Sequence, residues 1–278
     1  MKRLLVTLLI LSLAVVPCVA ASAEGEDGSL DYILEMGKLT LGLDVGFAPM
    51  GFFGDEGAIV GYDIDLAREV CARLGIELEL QPIAWAAKEI ELNAKNIDCI
   101  WNGLSITPAR MESMEITPAY LFNALVFVVA DPAYASKEDL AGKSVAVQSG
   151  SFAQEVLLGD DEEEADEAML VFASTLRDIP AYEDYMMALM DLRNGSVDAV
   201  LIDIVVADYY LKEMNEDGAC FYLEETLEDD AFGIAFRKGE LALMNAVVDA
   251  LLDMAEDGTL GDITARWFGE DVSLIKAP

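Results

Sequence analysis

Two stretches far apart in this chain are built alike: Leu92-Asn93-Ala94-Lys95-Asn96-Ile97-Asp98-Cys99-Ile100 and Leu192-Arg193-Asn194-Gly195-Ser196-Val197-Asp198-Ala199-Val200. Each reads as the end of a helix, a polar turn, and an apolar β-strand entered through an isoleucine or valine followed by aspartate. A repeated helix-turn-strand unit constrains the fold strongly, because it calls for two lobes of like construction in which helices and strands alternate. The predicted fold class is therefore α/β.

The rest of the chain fits that plan. Leu39, Leu41 and Leu43 alternate with smaller or polar residues as a strand ending at Asp44. Asp63 is placed to cap a helix whose apolar face is Leu66, Ala67, Val70, Cys71 and Leu74, and Gly75 stops it. Ile76 to Leu80 alternates as the next strand, Trp85 to Ala94 turns into a helix, and Ala124 to Ala130 is a buried strand closed by Asp131-Pro132. A second cycle follows, with a short helix from Ser136, a strand over Ser144 to Gln148 and a helix over Tyr182 to Leu192. Leu241, Met244, Val248, Leu251 and Leu252 form the apolar face of a late helix, broken at Asp257-Gly258.

Chemistry gathers at the strand ends, where open α/β sheets hold their ligands. Asn102 to Arg110 (NGLSITPAR) follows an apolar strand: Gly103 lets a ligand approach the backbone, Ser105 and Thr107 offer hydroxyls, and Arg110 carries a planar fork of donors suited to a carboxylate. Ser149-Gly150-Ser151-Phe152, after the strand ending at Gln148, opens a helix whose N–H groups favour an anion; no lysine makes it a phosphate loop. Asp203 ends the second repeat's strand, either as an acceptor for an ammonium group or as a helix N-cap. Asp44 and Phe47 end the first strand and suit a cation or amine, with a turn acid and a core phenylalanine as the plain alternative. An acid-binding arginine, an anion-binding helix start and an amine-binding acid are together what a zwitterion requires.

The chain has no histidine, which excludes Ser-His-Asp and Cys-His catalysis and the commonest metal sites, and neither a cofactor nor a metal is expected. Acidic residues number 52 against 17 basic, a formal charge of -35 that repels nucleic acid and anionic membranes. Asp160 to Asp166 reads as a solvated loop or helix start. Met1-Lys2-Arg3, the apolar run Leu4 to Val16 and Ala21-Ser22-Ala23 read as a secretory signal over residues 1–23, followed by an N-terminal segment over 24–37. Soluble export is the expected form, with a lipid anchor at Cys18 as the alternative. Of the remaining cysteines, Cys71 and Cys99 read as core residues, and the odd count with Cys220 leaves at least one free thiol.

These residues resemble the polar amino acid solute-binding proteins of ABC importers, known as extracellular solute-binding family 3. The resemblance covers nearly all of Lys38 to Gly269 and rests on LGLDVGFAPMGF (41–52), VGYDIDLA (60–67), NGLSITPAR (102–110), VAVQSGS (145–151), VDAVLID (197–203), FGIAFRKG (232–239) and DGTLGDITARWFG (257–269), in that order. It implies a periplasmic-binding-protein-like type II fold: lobe one over 38–119 plus 233–278, lobe two over 125–227, and a two-segment hinge at 120–124 and 228–232. It implies that Arg110 and Ser105, with the backbone around Ser151 and Phe152, hold a ligand carboxylate. Asp203 and the Gly103 carbonyl would hold the ammonium, and Phe47 and Trp85 would sandwich the side chain, with Asp44 at the far end. Asn102 and Gln148 complete the expected set. Ala86, Asn102 and Phe152 depart from the common pattern around the side-chain pocket. The implied function is capture of a free polar amino acid, basic or amide favoured, by a monomer that delivers it to a membrane permease. An exported dehydratase or lyase on the same fold, or a sensing module for a membrane partner, are the alternatives.

Overall fold

The computed structural model describes residues 27–159, 167–214, 218–223 and 226–277. The expected export signal and the acidic run from Asp160 to Asp166 lie outside the described residues. Among the described residues no helix is long and apolar enough to cross a membrane.

Eight strands form the spine: β1 Lys38–Leu43, β2 Glu77–Pro82, β3 Cys99–Ser105, β4 Leu121–Val129, β5 Val145–Gln148, β6 Ala181–Tyr182, β7 Ala199–Asp203 and β8 Glu228–Arg237. They lie in the order β6-β5-β7-β4-β8-β3-β1-β2. Each end of this sheet is parallel, with β1 between β2 and β3 and β5 between β6 and β7. Both halves therefore put their first strand in the centre, their second at the edge and their third inward. The inward strands are then met by antiparallel neighbours, β7 by β4 and β3 by β8, and β4 and β8 pair with each other. The result is two α/β lobes on one continuous curled sheet, and the expected hinge segments lie on this antiparallel pair, where Leu121 to Leu125 face Glu228 to Phe232.

The repeated sequence units share their local bonding. Asp98 N–H donates to Thr40 O while its carboxylate accepts from Thr40 N–H at 2.8 Å; Asp198 does the same with Ser144, its carboxylate accepting at 2.9 Å. An aspartate at that point satisfies both backbone groups of the neighbouring parallel strand as it enters the sheet, which is why the [I/V]-D pair recurs. Ile97 and Val197 are buried beside it.

Four of the helices bury apolar stripes in the core. Tyr62–Leu74 buries Leu66, Ala67, Val70 and Cys71, Tyr185–Arg193 buries Ala188, Leu189 and Leu192, and Leu241–Asp257 buries Leu243, Val247, Leu251 and Met254. Thr259–Phe268 follows the expected break at Gly258 and buries Leu260 and Ile263. Cys71 and Cys99 lie in the core as expected.

Four local expectations change. The strand read as ending before Asn102 runs on to Ser105, and the late helix turns Leu243, Val247 and Leu251 inward while Leu241 is exposed. The helix read from Tyr182 begins at Tyr185, because Tyr182 pairs in register with Gln148 on β5 and Asp184 caps the helix by accepting from Met187 N–H. Asp63 does not cap its helix, which starts at Tyr62 after Gly61. Its carboxylate is fully buried one step inside the first turn, and Oδ2 accepts from Gly103 N–H and Tyr120 OH, both at 2.9 Å. Burial pushes Asp63 up to about 8, although those bonds and the nearby Trp101 indole favour its charged form.

Candidate functional site

The carboxyl ends of β3, β5 and β7 converge on a chamber between the lobes. Arg110 enters it from the short helix Pro108–Ser113, started by Pro108 at its first position and by Thr107, whose hydroxyl accepts from Arg110 N–H. The guanidinium is buried. Its Nη1 donates to Ser105 O at 2.9 Å, its Nη2 donates to Glu155, and its Nε is buried without a hydrogen-bond partner. One edge of the fork is thus fixed by protein, and a donor is left over in a wall of the chamber.

Gly103 has a geometric reason to be glycine. Its φ is +62°, and a Cβ there would lie 2.5 Å from Phe47 Cε1. The phenylalanine ring rests on the bare backbone of β3. Phe47 and Trp85 face each other across the chamber, their ring centroids 6.5 Å apart and their planes within 10°. Carbon contacts span about 3.5–4.0 Å, so a group between two rings needs roughly 7–8 Å; the walls must part by about an ångström to admit a side chain.

The opposite lobe supplies Gln148, Ser151, Phe152 and Asp203. Ser151 caps the helix Phe152–Leu158, its hydroxyl accepting from Gln154 N–H and donating to Gln148 O. Asp203 ends β7, buried, and accepts from Asn123 Nδ2 at 2.7 Å. Burial, and secondarily the neighbouring Asp230 carboxylate, push Asp203 up to about 7, against the stabilising Asn123 and Tyr185 beside it. The chamber is nearly filled by its own walls, with a cavity of about 10 Å³.

Nine of the eleven residues expected in the site border this chamber: Phe47, Trp85, Gly103, Ser105, Arg110, Gln148, Ser151, Phe152 and Asp203. Asn102 and Asp44 stand outside its walls. Asn102 is buried behind β3, where its Oδ1 accepts from Asp44 N–H and its amide packs at Gly51, so it fixes the end of β1 and does not reach the chamber. Asp44 stands on the far side of Trp85, at an acidic outer cleft that also includes Glu183, Asp184 and Glu213. Its carboxylate accepts from Gly46 N–H and, across the lobes, from Gln148 Nε2 at 2.6 Å. Burial first, then the charges of Asp184 and Glu183, raise its pKa.

The lobes meet in a closed arrangement. Lys88 Nζ donates to Gly150 O, Tyr210 OH donates to Gly46 O, and the Phe47 ring packs 6.0 Å from that of Tyr185. Ala86 lies so close to Gly150 that a Cβ on the glycine would fall 2.7 Å from Ala86 Cα.

Sequence reasoning missed Glu155, Asn123, Asp230 and Tyr185. Glu155 had a signal, since it stands four residues after Ser151 and so faces the same way one turn into the helix. Asn123 and Asp230 had none, because each sits in a strand that reads as a connection and only their register brings them together.

The sequence of residues 39–270 matches the family of bacterial extracellular solute-binding proteins, family 3. The chain belongs to this family. This solute-binding protein is 28% identical to the L-cystine-binding protein of Escherichia coli K12 over 271 residues, 95% of each chain. It is 28% identical to arginine-binding protein 1 of an ABC transporter in the same organism over 235 residues, 83% of this chain and 90% of that one. Its fold superposes with a TM-score of 0.82 on the substrate-binding protein of an ABC uptake transporter from Streptococcus pneumoniae, solved with bound histidine, at 31% identity over 89% of this chain and 99% of that one. All three are binding proteins, and the latter two are named as parts of ABC transporters.

Proposed function

We propose that this protein captures a free α-amino acid between its lobes and presents it, unchanged, to the permease of an ABC importer outside the cytoplasm. The observation that carries the reading is the pairing, in the walls of one chamber, of a buried arginine with a free donor and a buried aspartate from the opposite lobe. Arg110 with Ser105 takes the carboxylate; Asp203 with the Gly103 carbonyl takes the ammonium group. Phe47 and Trp85 grip the side chain. Relatives that bind cystine, arginine and histidine support this class of ligand.

The side chain we favour is cationic. Arg110 is the cation in the chamber wall and Lys88 stands over Trp85, while Asp203 lines the chamber and Asp44, Glu155 and Asp230 touch residues that do. A positive tip reduces that excess of buried negative charge, and an acidic tip adds to it. Residues 1–23 act as the export signal in this reading, and lobe closure about 120–124 and 228–232 completes the site.

The test is a thermal-shift screen of the common amino acids and cystine. A ligand that binds only the folded form stabilises it by about 2.7 kcal/mol at a hundredfold excess over Kd. Arg110→Ala should abolish the shift. No response to any amino acid, or normal binding by Arg110→Ala, would overturn the reading.

A further inference from the structure

Asp203 does not stand alone at the ammonium end of the chamber. The register of the sheet sets Asp203 on β7 opposite Leu125 on β4, and Asn123 on β4 opposite Asp230 on β8. Three adjacent strands thereby bring an amide between two carboxylates. Asn123 Nδ2 donates to Asp203 Oδ1 at 2.7 Å and to Asp230 Oδ2 at 3.0 Å, so both of its protons go to acids, and Asn123 Oδ1 is buried without a partner. Asp203 is 4% exposed and Asp230 is 9% exposed.

Other groups reach the pair from each neighbouring element. Tyr185 on the helix Tyr185–Arg193 lies beside Asp203; Ser105 at the end of β3 and the Ala231 N–H of β8 bond Asp230; and the Arg110 charge acts on Asp230 from the helix Pro108–Ser113. The ion pair that Arg110 makes goes to Glu155, so a neutral amide is what joins the two acids. Two carboxylates held this way in a place shielded from water do not ionise together near neutral pH, because each charge lacks solvation and repels the other. The raised pKa of both groups, caused first by burial, agrees with that geometry.

We propose that Asp230, presented by Asn123, is a second carboxylate of the ammonium site, and that the Asp203–Asp230 pair holds one proton which an incoming ammonium group displaces. The inference rests on the amino-acid-binding reading. The step is a simple exchange: the ligand arrives with its ammonium protons already in place, one proton leaves the acid pair for the buffer, and no other bond forms or breaks. The ammonium then replaces the proton as the group that lets both acids be charged. Capture therefore releases about one proton per ligand just below neutral pH. Affinity falls by about tenfold for each unit of pH below the pair's titration, as the proton competes with the ligand.

Titration calorimetry at pH 6 in two buffers of different ionisation enthalpy, phosphate and imidazole, tests this. L-arginine is the probe, replaced by L-cystine if arginine gives no heat with wild type. The expected result is a buffer-dependent heat that corresponds to release of close to one proton, and a Kd that weakens about tenfold or more between pH 8 and pH 6. Asp230→Asn should bind with less proton release, and its loss of affinity in acid should begin at lower pH. Heat of binding that is the same in both buffers overturns this proposal while leaving amino acid capture intact; no heat with any amino acid overturns the capture reading itself. An Asp230→Asn protein with wild-type proton release and pH profile would remove Asp230 from the site. If that variant fails to fold, the wild-type buffer dependence still decides whether the proton is there.

Discussion

Gly150→Ala separates the cost of a strained backbone from the cost of blocking closure. Gly150 has φ +72°, so alanine there incurs the left-handed penalty, roughly 1–2 kcal/mol, whether the lobes are open or closed. The closed form carries a second cost. The new Cβ would lie 2.7 Å from Ala86 Cα and 3.2 Å from Ala86 N, where ordinary carbon contacts are about 3.5–4.0 Å. The obstacle is backbone, so it cannot swing aside, and the lobes must stay about an ångström further apart at that point. Overpacking of this kind costs about 1–3 kcal/mol, and because it falls on the closed form alone it weakens ligand binding by about 5- to 150-fold. Gly142 supplies the control, since its φ of +74° imposes the same backbone penalty while a Cβ there meets nothing within 4 Å. Urea unfolding should show both alanine variants destabilised by similar amounts, and calorimetry with the ligand should show only Gly150→Ala losing affinity. Wild-type affinity in Gly150→Ala, or an equal loss in Gly142→Ala, would refute the closure argument.

Asp44→Asn should cut the preference for arginine over glutamine by tenfold or more, since a charge-assisted hydrogen bond contributes about 1.5–3 kcal/mol and the Asp44 carboxylate has acceptor capacity beyond its bonds to Gly46 and Gln148; an unchanged preference would show that Asp44 does not read the side chain. Small-angle scattering should show a smaller radius of gyration with ligand, because Arg110 and Asp203 belong to opposite lobes; an unchanged radius at saturation would mean that the lobes do not move. Asp63 is raised to about 8, so in folding it takes up a proton across the range from about 4 to 8, and the stability it contributes is present in acid and lost as pH rises through that range. Thermal midpoints should therefore fall from pH 5 to pH 8, less steeply in Asp63→Asn; an equal slope in that variant would place the dependence elsewhere.

Much of the site was legible because its signals are local. Arg110, Ser105 and Gly103 lie within a few residues of a strand's last turn of the chain, Ser151 starts a helix directly after another strand, and Asp203 ends a third. The residues next after a strand stand at the sheet's carboxyl edge whatever else the chain does. The repeated [I/V]-D unit likewise carried its meaning within one turn and one strand, and it implied two lobes before any partner strand was known. Asp63 shows the limit of such reading. It looks like a helix cap, and its role is decided by Gly103, 40 residues away, and Tyr120, 57 residues away.

Alternation, capping and turn chemistry are fixed by backbone bonds between near neighbours, so the α/β class, the lobe repeat and the polar groups at the strand ends can be read directly from the chain. Strand order and register depend on where the whole chain returns, and they emerge only in the assembled sheet. That is why Asn102 turned out to brace Asp44, why Gln148 reached Asp44 across the cleft, and why Asn123 came to lie between Asp203 and Asp230. Each of those contacts joins strands that no local pattern pairs, and each is held because a buried polar group must find a partner wherever the sheet brings one.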